Sequence, residues 1–367
     1  MIKVLHVFTD MGIGGTEKVI YQISDYLLSD HNFEVCIAST NGPMEQKFLQ
    51  RGINNYRIKN FKKKYSIFSN IKELYKVIKE VNPDIIHTHS LYSLMVIYFI
   101  KRIFLSKLNF KIIHTGHGGP KRNYDKLASK LIKMADKYIC ISEYSYKKLL
   151  KSTSANNIEL IRNGVDQPKQ NEEAKIHQSK EILKMGFIGR LTEQKGVIYI
   201  IKALETILKK DKEFKISLKI VGDGDLLSEL KEYVQLKRLS SNVEFVGYKE
   251  NPWAYVNDCN MILMPSLWEN GGLVAMEAIV RGHTVIVSSI QGLKDTVIDG
   301  VNGYHIEPGN TESLAKIILD LYETEMFISI NNKEKNQYLF INSTGPKMKN
   351  LYYNTLGKDK HHDKSSA

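Results

Sequence analysis

Ten short apolar runs, separated by helical patterns, constrain this chain more than any other feature. They cover residues 4–8, 35–39, 85–88, 111–115 and 138–141, then 185–188, 218–221, 243–246, 261–264 and 284–287. Continuous apolar runs of this length, alternating with helices, predict strands buried on both faces, which belong to parallel sheets covered by helices. The series breaks at 166–179, a polar stretch holding Pro168 that reads as a linker. The expected fold class is therefore α/β, with two Rossmann-like parallel-sheet domains facing across a cleft. The predicted bounds are 1–166 for the first domain, 167–180 for the linker and 181–339 for the second. Ligands of open parallel sheets bind at the carboxyl ends of the strands, so the polar residues just after each strand are where chemistry is sought.

Three loops meet that condition. The first, Asp10-Met11-Gly12-Ile13-Gly14-Gly15-Thr16-Glu17, follows a strand and opens a helix. Its glycines, Gly15 among them, would let backbone N–H groups approach an anion, or would simply make a tight turn. Its glycine spacing differs from the dinucleotide fingerprint, and Ser39-Thr40-Asn41 lacks the acidic residue that holds a ribose there, so a nicotinamide cofactor is disfavoured. The second loop, Gly189-Arg190-Leu191-Thr192-Glu193-Gln194-Lys195-Gly196, puts two cations around a turn. Arg190 and Lys195 suit the negative charge that grows on a departing diphosphate, a task that a divalent metal performs elsewhere; a solvated surface pair is the competing reading. In the third, Pro265 to Glu277, Gly271 and Gly272 precede a helix start, with Glu269 before it and Glu277 about one turn inside. Carboxylates beside a phosphate site repel the phosphates but accept hydrogen bonds from hydroxyls, so Glu269 is assigned to a transferred sugar and Glu277 to a ribose.

The Glu-x7-Glu of Glu269 and Glu277, with Gly189-Arg190 and Lys195-Gly196 upstream, resembles glycosyltransferase family 4. Further matches are Gly14-Gly15-Thr16-Glu17, Pro83 to His89, Thr115-Gly116-His117-Gly118, Asn163-Gly164-Val165-Asp166 and Val221-Gly222-Asp223-Gly224. The resemblance implies a GT-B fold and a retaining, metal-independent sugar transfer from a nucleotide diphosphate sugar. It implies catalytic roles for His117, Arg190, Lys195 and Glu269, and donor contacts at Gly15, Gly189, Gly222, Asn270, Gly271, Gly272, Leu273 and Glu277. Neither a cofactor nor a metal is expected, and UDP is the expected nucleotide. Asn270-Gly271-Gly272 departs from the family's Gly-Phe-Gly type sequence, which leaves the donor sugar open. Residues 340–356 lack the family's common tryptophan but keep an aromatic, basic character and are expected to return to the first domain, ahead of a disordered tail at 357–367. Same-face attack by the acceptor hydroxyl is likewise an implication of the family.

His6, His87 and His89 lie in or beside strands, where a satisfied core role is expected, whereas His117 follows a strand in a glycine-rich loop. Cys36, Cys140 and Cys259 sit in separate apolar runs and read as buried thiols in a reducing cytosol. No export leader is visible, and the apolar stretch 91–100 falls short of the roughly 20 residues that span a bilayer.

The net charge of +12 is confined to one half: residues 1–166 hold 26 Lys+Arg and 14 Asp+Glu, and residues 167–367 hold 26 of each. A basic first domain suggests an anionic partner. Lys126, Lys130, Lys133 and Lys137 at helical spacing beside Leu127, Leu131 and Met134 predict a basic stripe next to an apolar one. Lys62-Lys63-Lys64 before Tyr65, Ile67 and Phe68, and Lys101-Arg102 before Ile103, Phe104 and Leu105, repeat the pairing. The expectation is a cytoplasmic protein held peripherally at the inner face of the membrane, acting on a lipid-linked saccharide acceptor in surface-polysaccharide assembly, with no nucleic acid bound. The competing functions are a sugar-nucleotide epimerase on the same fold, a basic nucleic-acid-binding protein and a catalytically silent sugar-nucleotide sensor.

Overall fold

A computed structural model describes residues 1–61, 66–103, 109–118, 124–168, 173–175, 182–325 and 336–358. The chain divides into two compact units, one built from Met1–Asp166 and Phe340–Ala367, the other from Gln167–Leu339. Most of the predicted linker, residues Lys62 to Tyr65, Phe104 and Leu105, and the tail from 359 lie outside the described residues.

The first unit is a seven-stranded parallel sheet of β1 (Ile2–Val7), β2 (Phe33–Ser39), β3 (Asn54–Arg57), β4 (Ile85–Thr88), β5 (Lys111–Gly116), β6 (Lys137–Cys140) and β7 (Ile158–Leu160), in the order β3-β2-β1-β4-β5-β6-β7. The second is a six-stranded parallel sheet of β8 (Leu183–Ile188), β9 (Ile216–Val221), β10 (Val243–Gly247), β11 (Met261–Met264), β12 (Thr284–Ser288) and β13 (Tyr304–Ile306), in the order β10-β9-β8-β11-β12-β13. Both orders reverse beside the first strand, between β1 and β4 and between β8 and β11, so each unit has a crevice at the carboxyl ends of those strands. Every residue of β4, β11 and β12 is buried, so β11 and β12 read as apolar or small runs, and β4 adds to its two isoleucines a buried His87 whose nitrogens are hydrogen-bonded. Strands β3, β7 and β13 were not among the ten predicted runs. Each is short, lies at a sheet edge and keeps half-buried or exposed positions, so the polar Asn54-Asn55-Tyr56-Arg57 can pair with β2 without an apolar signature.

The helix Ile341–Leu356 packs on the first helix, Gly15–Leu28. Its start is tied by Ile341 N–H donating to Val165 O at 2.9 Å. Gly345 allows the close approach, since a Cβ there would lie 2.6 Å from the Tyr26 ring. Deeper in, Tyr352 is fully buried with its hydroxyl 2.6 Å from His87 Nδ1. The Asn163-Gly164-Val165-Asp166 segment is thus the anchor of this helix: a Cβ at Gly164 would meet Ile341 backbone at 2.8 Å, and Asp166 accepts from Gln22 Nε2 at 3.0 Å.

The predicted basic stripe needs correcting. The helix Tyr124–Leu131 ends at Leu131, residues Ile132–Met134 form one 3-10 turn, and Lys137 opens β6, so Lys126, Lys130, Lys133 and Lys137 do not share one helix face. Asn157 Nδ2 donates to Ile132 O and Ala135 O at 3.0 and 2.7 Å, satisfying the carbonyls the helix would otherwise have used, and β6 then pairs with β5. Leu131 is buried, Met134 packs against the core, and Lys137 pairs with Glu159 at 2.7 Å. Leu127 alone of the three apolar residues is exposed.

Candidate active site

In the second unit the loops after β8, β9, β11 and β12 are locked together by backbone contacts that only small residues permit. A Cβ at Gly222 would lie 1.8 Å from Gly189 O, and Leu191 N–H donates to Asp223 O at 2.9 Å, joining the loops after β8 and β9. Gly196 adopts φ 64°, and a Cβ there would meet Pro265 O at 2.2 Å. Leu267 N–H donates to Gln194 O at 2.8 Å, and Gln194 Nε2 donates to Trp268 O at 2.9 Å, so the loop after β8 is stitched to the loop after β11. Gly292 seats the Glu269 backbone, where a Cβ would be 2.0 Å from Glu269 O.

This stitching brings Lys195 Nζ onto Glu269 Oε1 as an ion pair, with the side chains 19% and 11% exposed. Ser266 Oγ lies 3.5 Å from the same oxygen. Arg190, on the same loop as Lys195, is exposed and makes no ion pair among the described residues. Beyond Asn270 and Gly271, Gly272 takes the left-handed conformation at φ 54° and opens the helix Leu273–Val280 without a side-chain cap. The first-turn N–H groups at Leu273 therefore precede any intrahelical acceptor and carry the positive end of the helix dipole.

Glu277 lies in that helix and is buried. Trp253 Nε1 donates to its Oε2 at 3.1 Å. The guanidinium of Arg281 sits 4.6 Å from the centre of the Trp253 ring and donates to Glu277 O at 3.1 Å, while His283 stacks on Trp253 with ring centres 5.8 Å apart. Burial depresses the His283 imidazole to about 4. Trp253 was missed in the sequence; its signal was that it is one of two tryptophans in the chain and follows Pro252 outside any strand.

In the first unit Gly14 and Gly15 open the first helix after the loop that follows β1, and Gly15 is exposed. A Cβ at Gly42 would strike Met11 O at 2.0 Å, which holds the loops after β1 and β2 together. His117 follows β5, and its Nε2 lies 3.0 Å from His89 Nδ1. His89 Nε2 lies in turn 2.9 Å from His6 Nδ1. His6, His87 and His89 bring ligand-type nitrogens within 4.8 Å of one another. Most of the cluster's nitrogens are hydrogen-bonded: His6 Nδ1 to His89 Nε2, and His87 to Tyr352 and Thr115 at 2.6 and 2.7 Å, while His6 Nε2 has no partner among the described residues. The sequence placed His6, His87 and His89 in the core, and they are buried; it did not join them to His117.

Two family models cover the chain in succession: Glycosyltransferase Family 4 over residues 13–167 and Glycosyl transferases group 1 over 168–342. The chain belongs to the family 4-type glycosyltransferases. The transferase is 28% identical over 359 residues to an uncharacterized glycosyltransferase of Methanocaldococcus jannaschii, covering 89% of this chain and 90% of the relative. It is 25% identical over 379 residues, 96% of each chain, to the Escherichia coli UDP-Gal:alpha-D-GlcNAc-diphosphoundecaprenol alpha-1,3-galactosyltransferase. An Anabaena protein solved in complex with UDP and glucose superposes on the transferase with a TM-score of 0.81 at 19% identity, over 96% of this chain and all of the other. The fold is thus GT-B. Glu269, Lys195 and Glu277 of the transferase all come from the second sheet's switch point, where β8 and β11 adjoin.

Proposed function

We propose that this transferase moves a sugar with retention from a UDP-sugar to a lipid-linked saccharide in surface glycan assembly, without a metal. The observation that carries the reading is the Lys195–Glu269 pair beside the uncapped start of the helix Leu273–Val280. A diphosphate set against that helix start would take Lys195 as its counter-ion, with Arg190 as the second cation, and the two would meet the charge of the leaving group as a metal does elsewhere. Glu269, released from Lys195, would accept from hydroxyls of the transferred sugar. Glu277, held by Trp253, would accept from the ribose. Gly189, Gly222, Asn270, Gly271 and Gly272 would let donor and backbone approach closely, with Gly15 and His117 as the first unit's contributions. No side chain is assigned as a nucleophile: the acceptor hydroxyl attacks the face the diphosphate leaves, and a leaving-group oxygen takes its proton.

The E. coli relative, named for a UDP-galactose donor and a diphosphoundecaprenol-linked acceptor, supports UDP and the lipid linkage. The basic first half supports an anionic acceptor and peripheral contact with the cytoplasmic leaflet. A thermal-shift series across nucleoside diphosphates and their sugars tests the donor, since a ligand at 100 times its Kd adds about 2.7 kcal/mol of stability. UDP compounds should give the largest shift, and transfer to a pyrophosphate-linked lipid saccharide should persist in excess chelator. Equal shifts from all bases, or activity that requires added magnesium, would count against the reading.

A further inference from the structure

Three imidazoles form a continuous chain in the first unit because β1, β4 and β5 lie side by side and each carries a histidine at or just past its carboxyl end. His6 Nδ1 meets His89 Nε2 at 2.9 Å, and His89 Nδ1 meets His117 Nε2 at 3.0 Å. We propose that His6 and His89 are positioning residues that fix the tautomer of His117, so that it presents Nδ1–H as a hydrogen-bond donor. The use of that donor toward the transferred sugar rests on the function proposed above.

The argument is one of proton counting. Burial holds His6 at about 3 and His117 at about 4, and holds His89 well below the usual imidazole range, so all three are neutral near pH 7. A neutral imidazole has one N–H and one acceptor nitrogen. Because the two bonds share the ring of His89, only two arrangements satisfy both: every ring protonated on Nδ1, or every ring protonated on Nε2. The arrangements differ at the ends. His6 Nε2 is buried without a hydrogen-bond partner among the described residues. With protons on Nε2, that end would be an N–H sealed away from any acceptor, and orphaned buried N–H groups are the rarer kind. With protons on Nδ1, it is a bare lone pair, and each proton points along the chain from His6 to His117. The outer end is then His117 Nδ1–H. His87 stands outside this chain, its nitrogens bonded to Tyr352 and Thr115, but its ring stacks on His89 at 4.3 Å between centres and holds the tilt of the middle link.

The test is long-range proton–nitrogen correlation NMR on the full chain labelled with 15N-histidine, with the His117 signals assigned by their loss in His117→Gln. Wild type at pH 7 is expected to show His117 as the Nδ1–H form. His6→Leu, at a residue with no hydrogen bond to His117, should turn that signal into a mixture of tautomers. His6→Asn, whose amide N–H can donate to His89 Nε2, should restore it. An Nε2–H form in wild type, or a His117 tautomer indifferent to His6→Leu in protein that keeps its circular dichroism and melting transition, would overturn the proposal. Should His6→Leu not fold, His89→Leu, which offers His117 neither donor nor acceptor, gives the same comparison one link nearer. A transfer assay separates this from the function: loss of the lock should lower kcat about three- to tenfold, the scale of one hydrogen bond. Full transfer by His117→Gln would remove the sugar contact while leaving the NMR result standing.

Discussion

The ammonium of Lys195 rests on the carboxylate of Glu269, although the two residues belong to loops that follow different strands, β8 and β11. The pair exists because Gly196 lets its loop run under Pro265 O and because Gln194 is bonded to both Leu267 and Trp268. Each partner neutralises the other where most of the water has been removed, so a diphosphate that recruits Lys195 also frees Glu269. Under the proposed function, donor binding and release of the Glu269 carboxylate would be one event.

That coupling predicts non-additivity. Lys195→Met or Glu269→Gln alone should lower kcat by roughly 100-fold or more, the scale of losing one electrostatic stabiliser. Lys195→Met should also destabilise the second unit by about 1–3 kcal/mol, because it leaves Glu269 without its partner in a mostly buried site. The double variant should recover part of that stability and lose less activity than the product of the singles. Urea unfolding and steady-state kinetics on the four proteins measure both, and strict additivity would separate the two residues.

Trp253→Phe isolates the hydrogen bond to Glu277. Phenylalanine keeps most of the ring between Arg281 and His283 but has no N–H to give to Oε2. Hydrogen bonds to charged groups are worth about 1.5–3 kcal/mol, so UDP affinity by calorimetry should fall about tenfold or more, with kcat at saturating donor little changed. Unchanged UDP affinity would detach Trp253 from the nucleotide site.

Acid should open the first unit before the second. His6, His87, His89 and His114 are fully or almost fully buried in the first unit, and burial lowers each of them, His6 and His114 to about 3. Among the described residues of the second unit His283 is the buried histidine, and burial lowers it to about 4. Below the unfolded pKa of about 6.5 the unfolded chain binds protons that the native state refuses, so stability falls as pH drops. Each such histidine contributes a slope of up to about 1.4 kcal/mol per pH unit until its folded value is reached. Hydrogen exchange between pH 6.5 and 4 should release amides of β1, β4 and β5 ahead of those of β8, β11 and β12. The reverse order would show that the buried imidazoles do not control acid stability.

The sequence resolves some of this architecture and not the rest, for reasons tied to particular residues. Residues 85–88 and 261–264 are matched to the residue because both faces of those strands are buried, all four side chains of 261–264 being apolar and 85–88 opening on Ile85-Ile86 after the Pro83-Asp84 turn. Tyr304–Ile306 leaves two of its three residues half-buried at an edge and carries no comparable signal. Helical spacing from Lys126 to Lys137 misled because strand pairing with β5 and the cap supplied by Asn157 outweigh local periodicity. The loop glycines and the residues Lys195, Glu269 and Glu277 could be found as motifs. The bonds from Trp253 to Glu277 and from His6 through His89 to His117 could not, because they depend on which strands become neighbours.

The last prediction concerns the membrane, and the correction to the basic stripe changes which residues it rests on. Phe68 is 84% exposed and Ile103 64%, with Phe99 and Leu127 also exposed, and all four belong to the first unit. Arg102, Lys126, Lys130 and Lys133 are exposed in the same unit, while Lys137 is withdrawn into its pair with Glu159. No helix among the described residues is long and apolar enough to cross a membrane, and the contact we propose through these groups is peripheral. Each Lys or Arg near an anionic leaflet contributes about 1 kcal/mol, and burying a large apolar side chain adds about 1.5–3 kcal/mol, so a few of each give reversible binding that salt weakens. The full chain should sediment with vesicles containing anionic lipid and not with neutral ones at low salt, and high salt should release most of it. Phe68→Ser with Ile103→Ser should weaken binding at every salt concentration, because the apolar term is unscreened, whereas Lys126→Glu with Lys130→Glu should matter at low salt and hardly at high. Equal partition to neutral and anionic vesicles would remove the electrostatic part of this reading, and no sedimentation with either would end it and leave a soluble acceptor.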